Sequence, residues 1–166
     1  MGKTIKEKLK EAEKYICENF DELEIDDPVE EGYFEEYEQI GGASEAEFED
    51  FEKTFGIKLP EDFKELYSYK NGSGYFELLQ CDIDGREINF TLFSLEEMKN
   101  VKSYFQDRDA LLTDYPEYFT DDVIEQMRDS RIKPYLFHKD WFAFATYLNC
   151  GYLMLDFDPD KEGKVG

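Results

Sequence analysis

Residues 42–76 have the sequence GASEAEFEDFEKTFGIKLPEDFKELYSYKNGSGYF, and this stretch decides the fold. Ser44 followed by Glu47 is a capping box, and the phenylalanines that come next, at i, i+3 and i+7, predict an amphipathic helix. Gly56 is suited to end that helix in the left-handed conformation. Pro60 is suited to the first position of a second helix, which would end at the Asn-Gly pair that follows. The stretch therefore predicts two short helices joined by a tight apolar link.

The chain before this stretch divides into a helix and an acidic segment. Apolar residues at positions 5, 9, 12 and 16 form one face of an amphipathic helix that is predicted from about Thr4 to Asn19. Residues 21–43 contain Pro28 and Gly32, which predict irregular chain with a short strand around Tyr33–Ile40. Residues 1–41 are therefore expected to contribute an N-terminal helix and an acidic segment.

The chain after the stretch alternates between strand and helix patterns. Asp84-Gly85 lies between two β-prone runs and predicts a hairpin. A second capping box at Ser94 and a candidate N-cap at Thr120 predict two further helices, and three strands are predicted after Pro134. The order α, αα, ββ, αα, βββ predicts an α+β fold with a mainly antiparallel sheet.

Negative charge dominates the composition. The chain has 19 Lys plus Arg against 41 Asp plus Glu, a formal net charge of −22 at pH 7. From residue 18 to residue 52 there are sixteen acidic residues and no basic one. Such a surface repels phosphate backbones and anionic lipids, so direct binding to nucleic acid or to membranes is not expected.

The acidic segment allows two interpretations. It is either a solvated loop and helix face that keeps the protein soluble, or a surface that attracts a basic partner. Aromatic residues among the acids favour the second interpretation, a surface for a basic partner, because Tyr and Phe supply contact area while carboxylates steer the encounter. The candidate contact residues are Glu30, Glu31, Tyr33, Phe34, Glu35, Glu36 and Tyr37.

Cysteine usage and the lack of targeting signals predict the compartment. No apolar run reaches the roughly 18 residues of a spanning helix, and the N-terminus interleaves Lys and Glu, unlike a secretory signal. Cys17, Cys81 and Cys150 are odd in number and far apart, which fits reduced thiols. The first two are expected to be small buried apolar residues. We expect a cytoplasmic protein that is a monomer or a weak homodimer.

The residue types that carry catalysis or bind metals form no complete pattern. His138 is the only histidine, and its neighbours predict a satisfied or solvent-facing strand residue. Asp156, Asp158 and Asp160 alternate as in a calcium loop, but the sixth position is Lys161 where an EF-hand needs Gly. We therefore predict no catalytic, cofactor-binding or metal-binding residue. A hydrolase that uses one of these three aspartates with a divalent metal stays open as an alternative.

The helix, G-x-x-L-P, helix, Asn-Gly order of the opening stretch resembles the SUKH superfamily, the Smi/Knr-type group. A second block resembles the C-terminal half of that family: a tryptophan, an aromatic strand and the run LMLDFDPDKEGKVG. The resemblance covers residues 42–166. The matching positions are Glu52, Gly56, Leu59, Pro60, Gly72, Trp141, Asp156 and Pro159, and we expect them to be mainly structural.

The resemblance implies one SUKH-like domain over residues 1–166, with helices packed on a curved sheet. It also implies a non-enzymatic protein without cofactors. Bacterial members are immunity proteins that neutralise a cognate toxin domain, often a nuclease or another nucleic-acid-modifying enzyme, so a basic toxin domain is the expected partner. Fungal relatives imply a regulatory adaptor or scaffold as the alternative. Members usually continue past the glycine that matches Gly166 into another strand and helix, so either this sequence is a shortened form or the sheet has one exposed edge.

Overall fold

The computed structural model describes residues 2–23, 28–105 and 109–166. The helices in these ranges are α1 (Ile5–Glu18), α2 (Pro28–Gln39), α3 (Glu45–Phe55), α4 (Glu61–Tyr69), α5 (Leu95–Phe105) and α6 (Asp121–Met127). The strands are β1 (Leu79–Ile83), β2 (Arg86–Leu92), β3 (Ala110–Leu111), β4 (Tyr135–Phe137), β5 (Trp141–Tyr147) and β6 (Gly151–Asp156).

Four strands form one antiparallel, curved sheet in the order β1-β2-β5-β6. The predicted hairpin is confirmed: Asp84 and Gly85 have φ angles of 53° and 74° and turn β1 into β2. The short strands β3 and β4 pair with each other in a separate antiparallel ladder. The α+β class with a mainly antiparallel curved sheet is therefore confirmed, and β3 is the strand that the sequence did not predict.

The two helices of the opening stretch form as predicted. Ser44 and Glu47 make a reciprocal capping box at the start of α3, and Gly56 ends this helix with a φ of 67°. Pro60 lies one residue before its expected place, because its ψ of 147° makes it the N-cap and Glu61 the first helical residue. The capping box at the start of α5 is also confirmed.

Helices α3, α4 and α5 pack on the curved sheet and bury the main core. Its buried members are Ala43, Phe48, Phe51, Leu59, Phe63, Tyr67, Leu95, Met98, Phe142 and Leu155. The Tyr67 hydroxyl donates to the backbone oxygens of Phe93 and Phe144, at 2.7 and 3.2 Å, and so joins α4 to the residue that follows β2 and to the middle of β5. This core joins the three helices to β5 and β6.

The chain that enters α3 runs very close to the end of α4. Backbone hydrogen bonds join Ala43 N to Tyr67 O and Asn71 N to Gly41 O, both at 2.8 Å. A Cβ on Gly42 would overlap the backbone carbonyl of Ser68. Glycine at position 42 is thus required by a close approach of two backbones.

The main departure from the predictions lies in the N-terminal part of the chain, which forms helices α1 and α2. Helix α1 matches its predicted range, but residues 28–39 form α2 where irregular chain and a strand at Tyr33–Ile40 were expected. Pro28 begins this helix, a position at which its missing N–H costs nothing, and Gly32 lies within it. Residues 24–27 of the expected irregular segment lie outside the described residues.

Two smaller features complete the fold. Cys17 is exposed and Cys81 is half-buried, so the expectation of a buried Cys17 was wrong. Thr120 precedes α6 as predicted, although its side chain makes no capping hydrogen bond. Within the described ranges, no helix combines the length and the apolar character that crossing a bilayer demands.

Candidate functional site

Helix α2 carries several exposed carboxylates. We call four of them, Glu30, Glu31, Glu35 and Glu36, the α2 face. Residues 28–39 contain a fifth glutamate and no basic residue. Four of the seven candidate contact residues are therefore exposed on one helix.

The aromatic candidates on α2 behave differently from the acidic ones. Phe34 and Tyr37 are only 1% and 0% exposed, and Tyr33 is half-buried. The Phe34 ring packs edge-on against Phe20 and Phe76, at centroid distances of 5.4 and 5.0 Å. Phe34 and Tyr37 are therefore core residues, and the prediction that they contact a partner was wrong. Their spacing of three residues places both on the inner side of one helix.

Polar contacts fix α2 against the rest of the molecule. The Glu13 carboxylate on α1 accepts hydrogen bonds from the hydroxyls of Tyr37 and Tyr69, at 2.7 and 2.6 Å. Desolvation and this carboxylate raise the pKa of Tyr69 to about 12, and the same causes raise that of Tyr37. Both hydroxyls thus stay neutral donors at physiological pH. The half-buried Glu13 carboxylate therefore joins helices α1, α2 and α4.

A buried lysine holds the C-terminal end of α2. The side chain of Lys70 donates to the backbone oxygens of Tyr37 and Glu38, both at 3.0 Å. Its ammonium also lies 4.6 Å from the centre of the Tyr37 ring. A cation at the C-terminal carbonyls of a helix complements the helix dipole. The α2 face is therefore presented by a helix that is fixed on its inner side and at its end.

A concave cavity of about 410 Å³ lies beside the α2 face, between helices α1 and α2 on one side and the β1–β2 hairpin on the other. Its described lining residues are Ile16, Leu23, Glu30, Tyr33, Tyr75, Phe76, Glu77, Gln80 and Asn89. Tyr75 is 72% exposed, and its ring lies 5.3 Å from the Tyr33 ring at an angle of 37°. We call this cavity the tyrosine pocket.

Sequence reasoning missed the tyrosine pocket. Tyr75 lies at the end of the opening stretch and Glu77 directly follows it, whereas Glu30 and Tyr33 lie more than forty residues earlier. No local pattern connects the two groups, since the fold of α2 against the loop before β1 is what brings them together. Tyr75, an aromatic residue in a Gly-rich loop, was the one local signal.

The first group of family positions has structural roles. The Glu52 side chain is 5% exposed and accepts from the ammonium groups of Lys58 and Lys64, at 2.7 and 2.8 Å, and from the Leu59 N–H at 2.9 Å. Desolvation alone would raise its pKa, but these hydrogen bonds outweigh it and lower the pKa to about 2. Glu52 thereby ties the end of α3 to the link that enters α4. Gly56 and Pro60 lie at the ends of that same link.

The remaining family positions also stabilise turns and junctions. Gly72 has a φ of 95°, and a Cβ there would lie 2.8 Å from the Ser94 nitrogen. Trp141 is half-buried at the start of β5, and its backbone oxygen accepts from Lys102 Nζ at 3.0 Å. The Asp156 carboxylate accepts from the Asp158 N–H at 2.8 Å, which closes the turn after β6. A Cβ on Gly163 would collide with Pro159, so the last segment is tightly folded.

His138, Asp140 and Asp158 form the one group of three potential metal ligands in the described ranges. His138 is buried, and its Nδ1 accepts a hydrogen bond from the Asp140 N–H at 3.2 Å. Its Nε2 lies 3.7 Å from Asp158 Oδ2. Lys133 already pairs with Asp158 at 2.5 Å. The arrangement fits a satisfied hydrogen-bonded cluster better than a cation site.

Comparison with known families adds one positive finding. The model of the SMI1 / KNR4 family (SUKH-1) matches residues 42–166. No curated protein gives a significant match. The matched region contains the main core and the sheet, whereas α1 and the α2 face precede it.

Proposed function

This chain belongs to the SMI1 / KNR4 (SUKH-1) family, and from that premise we propose that it is an immunity protein that binds and neutralises a basic toxin domain. The toxin domain is a nuclease or another nucleic-acid-modifying enzyme. SUKH domains are generally immunity proteins and not enzymes. The protein acts in the cytoplasm of the cell that it protects, by binding alone and without a cofactor.

The observation that carries the proposal is the α2 face. Four exposed carboxylates stand on one rigid helix, within a segment that has sixteen acidic residues and no basic one. An enzyme that acts on nucleic acid must offer a cationic cleft to phosphates. A fixed set of carboxylates competes for that cleft and accelerates the encounter by electrostatic steering.

The position of the α2 face relative to the family match supports the same role. Residues 42–166 supply the fold that the family shares, and the α2 face lies before residue 42. An immunity protein must recognise one particular toxin. A binding surface outside the shared region lets the fold stay constant while the specificity differs.

The test is coexpression with the toxin domain encoded by the neighbouring gene, followed by binding kinetics. We expect protection of the cells and a 1:1 complex. Replacing the four glutamates of the α2 face by glutamine should lower the association rate by about 10-fold or more at low salt, with a weaker dependence on ionic strength.

The matched control removes the same charge elsewhere. Four exposed glutamates outside the α2 face serve for it: Glu49, Glu96, Glu117 and Glu125. Their replacement by glutamine should change the association rate much less. If both variants associate at the wild-type rate at every ionic strength, steering by the α2 face is disproved. A tight complex that leaves the toxin active would instead favour the adaptor role.

A further inference from the structure

We infer that the tyrosine pocket is the receptor for one arginine side chain of the partner protein. The inference rests on the proposed function for the identity of the partner. The chemistry of the pocket is a property of this chain alone. The pocket adds one specific anchoring contact to the general charge attraction between the two proteins.

The aromatic wall of the pocket is suited to a planar cation. The rings of Tyr33 and Tyr75 lie 5.3 Å apart, and Tyr75 is 72% exposed although its neighbour Phe76 is buried in the core. A guanidinium group stacks on tyrosine faces through cation–π attraction. An exposed tyrosine beside a half-buried one offers such a face without any change in the core.

The charges around the pocket have one sign. Glu30 and Glu77 contribute two exposed carboxylates, Gln80 and Asn89 contribute amides, and no basic residue is among the described lining. Arginine presents five donors in a rigid fork that matches a carboxylate, whereas lysine presents a compact and strongly hydrated charge. The combination of ring faces, carboxylates and amide oxygens therefore favours arginine.

The floor and the size of the pocket fit the rest of an arginine side chain. Ile16, Leu23 and Phe76 supply apolar surface for the aliphatic stem. A volume of about 410 Å³ exceeds what one side chain needs and leaves room for the adjacent backbone. Glu30 belongs both to the α2 face and to the pocket, so the steering surface leads directly into the anchoring site.

The first experiment uses blocked tripeptides and NMR. Acetyl-Gly-Arg-Gly-amide is titrated against the protein at low ionic strength, in parallel with the peptide that carries neutral citrulline in place of arginine. We expect saturable shifts of the Tyr33 and Tyr75 ring signals with the arginine peptide, and affinity that is at least about 5-fold weaker with citrulline. Equal shifts with both peptides, or no saturable shift with either, would overturn the inference.

Variants with matched controls locate the contact. Tyr75→Leu is paired with Tyr118→Leu, because these tyrosines are 72% and 74% exposed. Glu77→Gln is paired with Glu117→Gln, which removes the same charge from an exposed position outside both the α2 face and the described pocket lining. The pocket variants should weaken binding of the arginine peptide by about 3-fold or more, and the controls by less than about 1.5-fold. Equal effects of variant and control would refute the assignment.

The same variants separate this inference from the proposed function. If the toxin domain binds tightly and Tyr75→Leu leaves its dissociation rate unchanged, the pocket is not the anchor while the immunity role stands. If the toxin domain does not bind but the arginine peptide does, the immunity role fails and the pocket remains a guanidinium site.

Discussion

Replacing Glu52 with glutamine tests whether the link between α3 and α4 depends on one buried carboxylate. The wild-type side chain accepts from two ammonium groups and from the Leu59 N–H. Glutamine has nearly the same shape and retains one oxygen for that N–H, but it loses both ion pairs. The substitution therefore isolates the charge of the carboxylate from its packing.

The pKa of Glu52 sets the upper limit of the effect. The pKa is about 2 compared with an ordinary value of 4.5, and at about 1.4 kcal/mol per unit this difference amounts to about 3 kcal/mol of stability. The Lys58 side chain is 87% exposed, so water and salt screen part of its share. We expect Glu52→Gln to lower the free energy of unfolding by about 2 kcal/mol at neutral pH.

The pH dependence has a definite sign. Since the folded-state pKa is below the unfolded-state value, the unfolded chain takes up the proton first as the pH falls. The stabilisation is fully present above about pH 5.5 and is lost as the pH falls toward about 2. The difference between wild type and Glu52→Gln should therefore shrink by more than half at about pH 3. Urea denaturation followed by the fluorescence of Trp141, the one tryptophan, measures it.

A control on the same helix separates this effect from the general titration of an acidic protein. Glu49→Gln removes one exposed carboxylate from α3 and should change the unfolding free energy by no more than about 0.5 kcal/mol at either pH. The reasoning is refuted if Glu52→Gln costs no more than this control at neutral pH, or if its cost is the same at both pH values.

The remaining predictions concern three close contacts in the fold. Gly42→Ala should cost more than about 2 kcal/mol because its Cβ overlaps a backbone carbonyl of α4, whereas Gly41→Ala, with no atom within 4 Å, should be nearly neutral in the same denaturation assay. Tyr67→Phe should cost about 1 to 2 kcal/mol because the Phe93 carbonyl loses its donor, while the Phe144 carbonyl keeps only the Phe93 N–H; an unchanged denaturation midpoint would contradict this. Partial desolvation and the Glu38 carboxylate raise the pKa of Cys17, so iodoacetamide should alkylate it more slowly than a cysteine in an unstructured peptide, and Glu38→Gln should speed the reaction.

The parts of the fold that the sequence predicted correctly are those with local signals. The capping boxes at Ser44 and Ser94, the left-handed Gly56 and the Asp84-Gly85 turn are each determined by a few adjacent residues. Such signals act on neighbouring backbone groups, so their effect does not depend on contacts between distant parts of the chain. The order of helices and strands that follows them was therefore predictable.

Helix α2 was missed because its stabilising contacts are distant in sequence. Pro28 and Gly32 predict breaks by residue type alone, although a proline at the first position is compatible with a helix. The C-terminal carbonyls of α2 receive their hydrogen bonds from Lys70, and its inner side packs on Phe76 and on α1. None of these partners is recognisable from residues 28–39 alone, because tertiary packing supplies most of the stability of a short helix.

The error in Phe34 and Tyr37 has the same origin and explains how the α2 face is held. An acidic helix repels itself, so exposed glutamates alone would not hold it in place. The two aromatic side chains that were expected to contact a partner are instead the anchors that bury the inner side of α2. With Glu13 and Lys70 they fix the backbone of the helix that carries the carboxylates. A surface organised before binding loses less entropy in the complex, so under the proposed function weakening these anchors should reduce the affinity for the cationic partner.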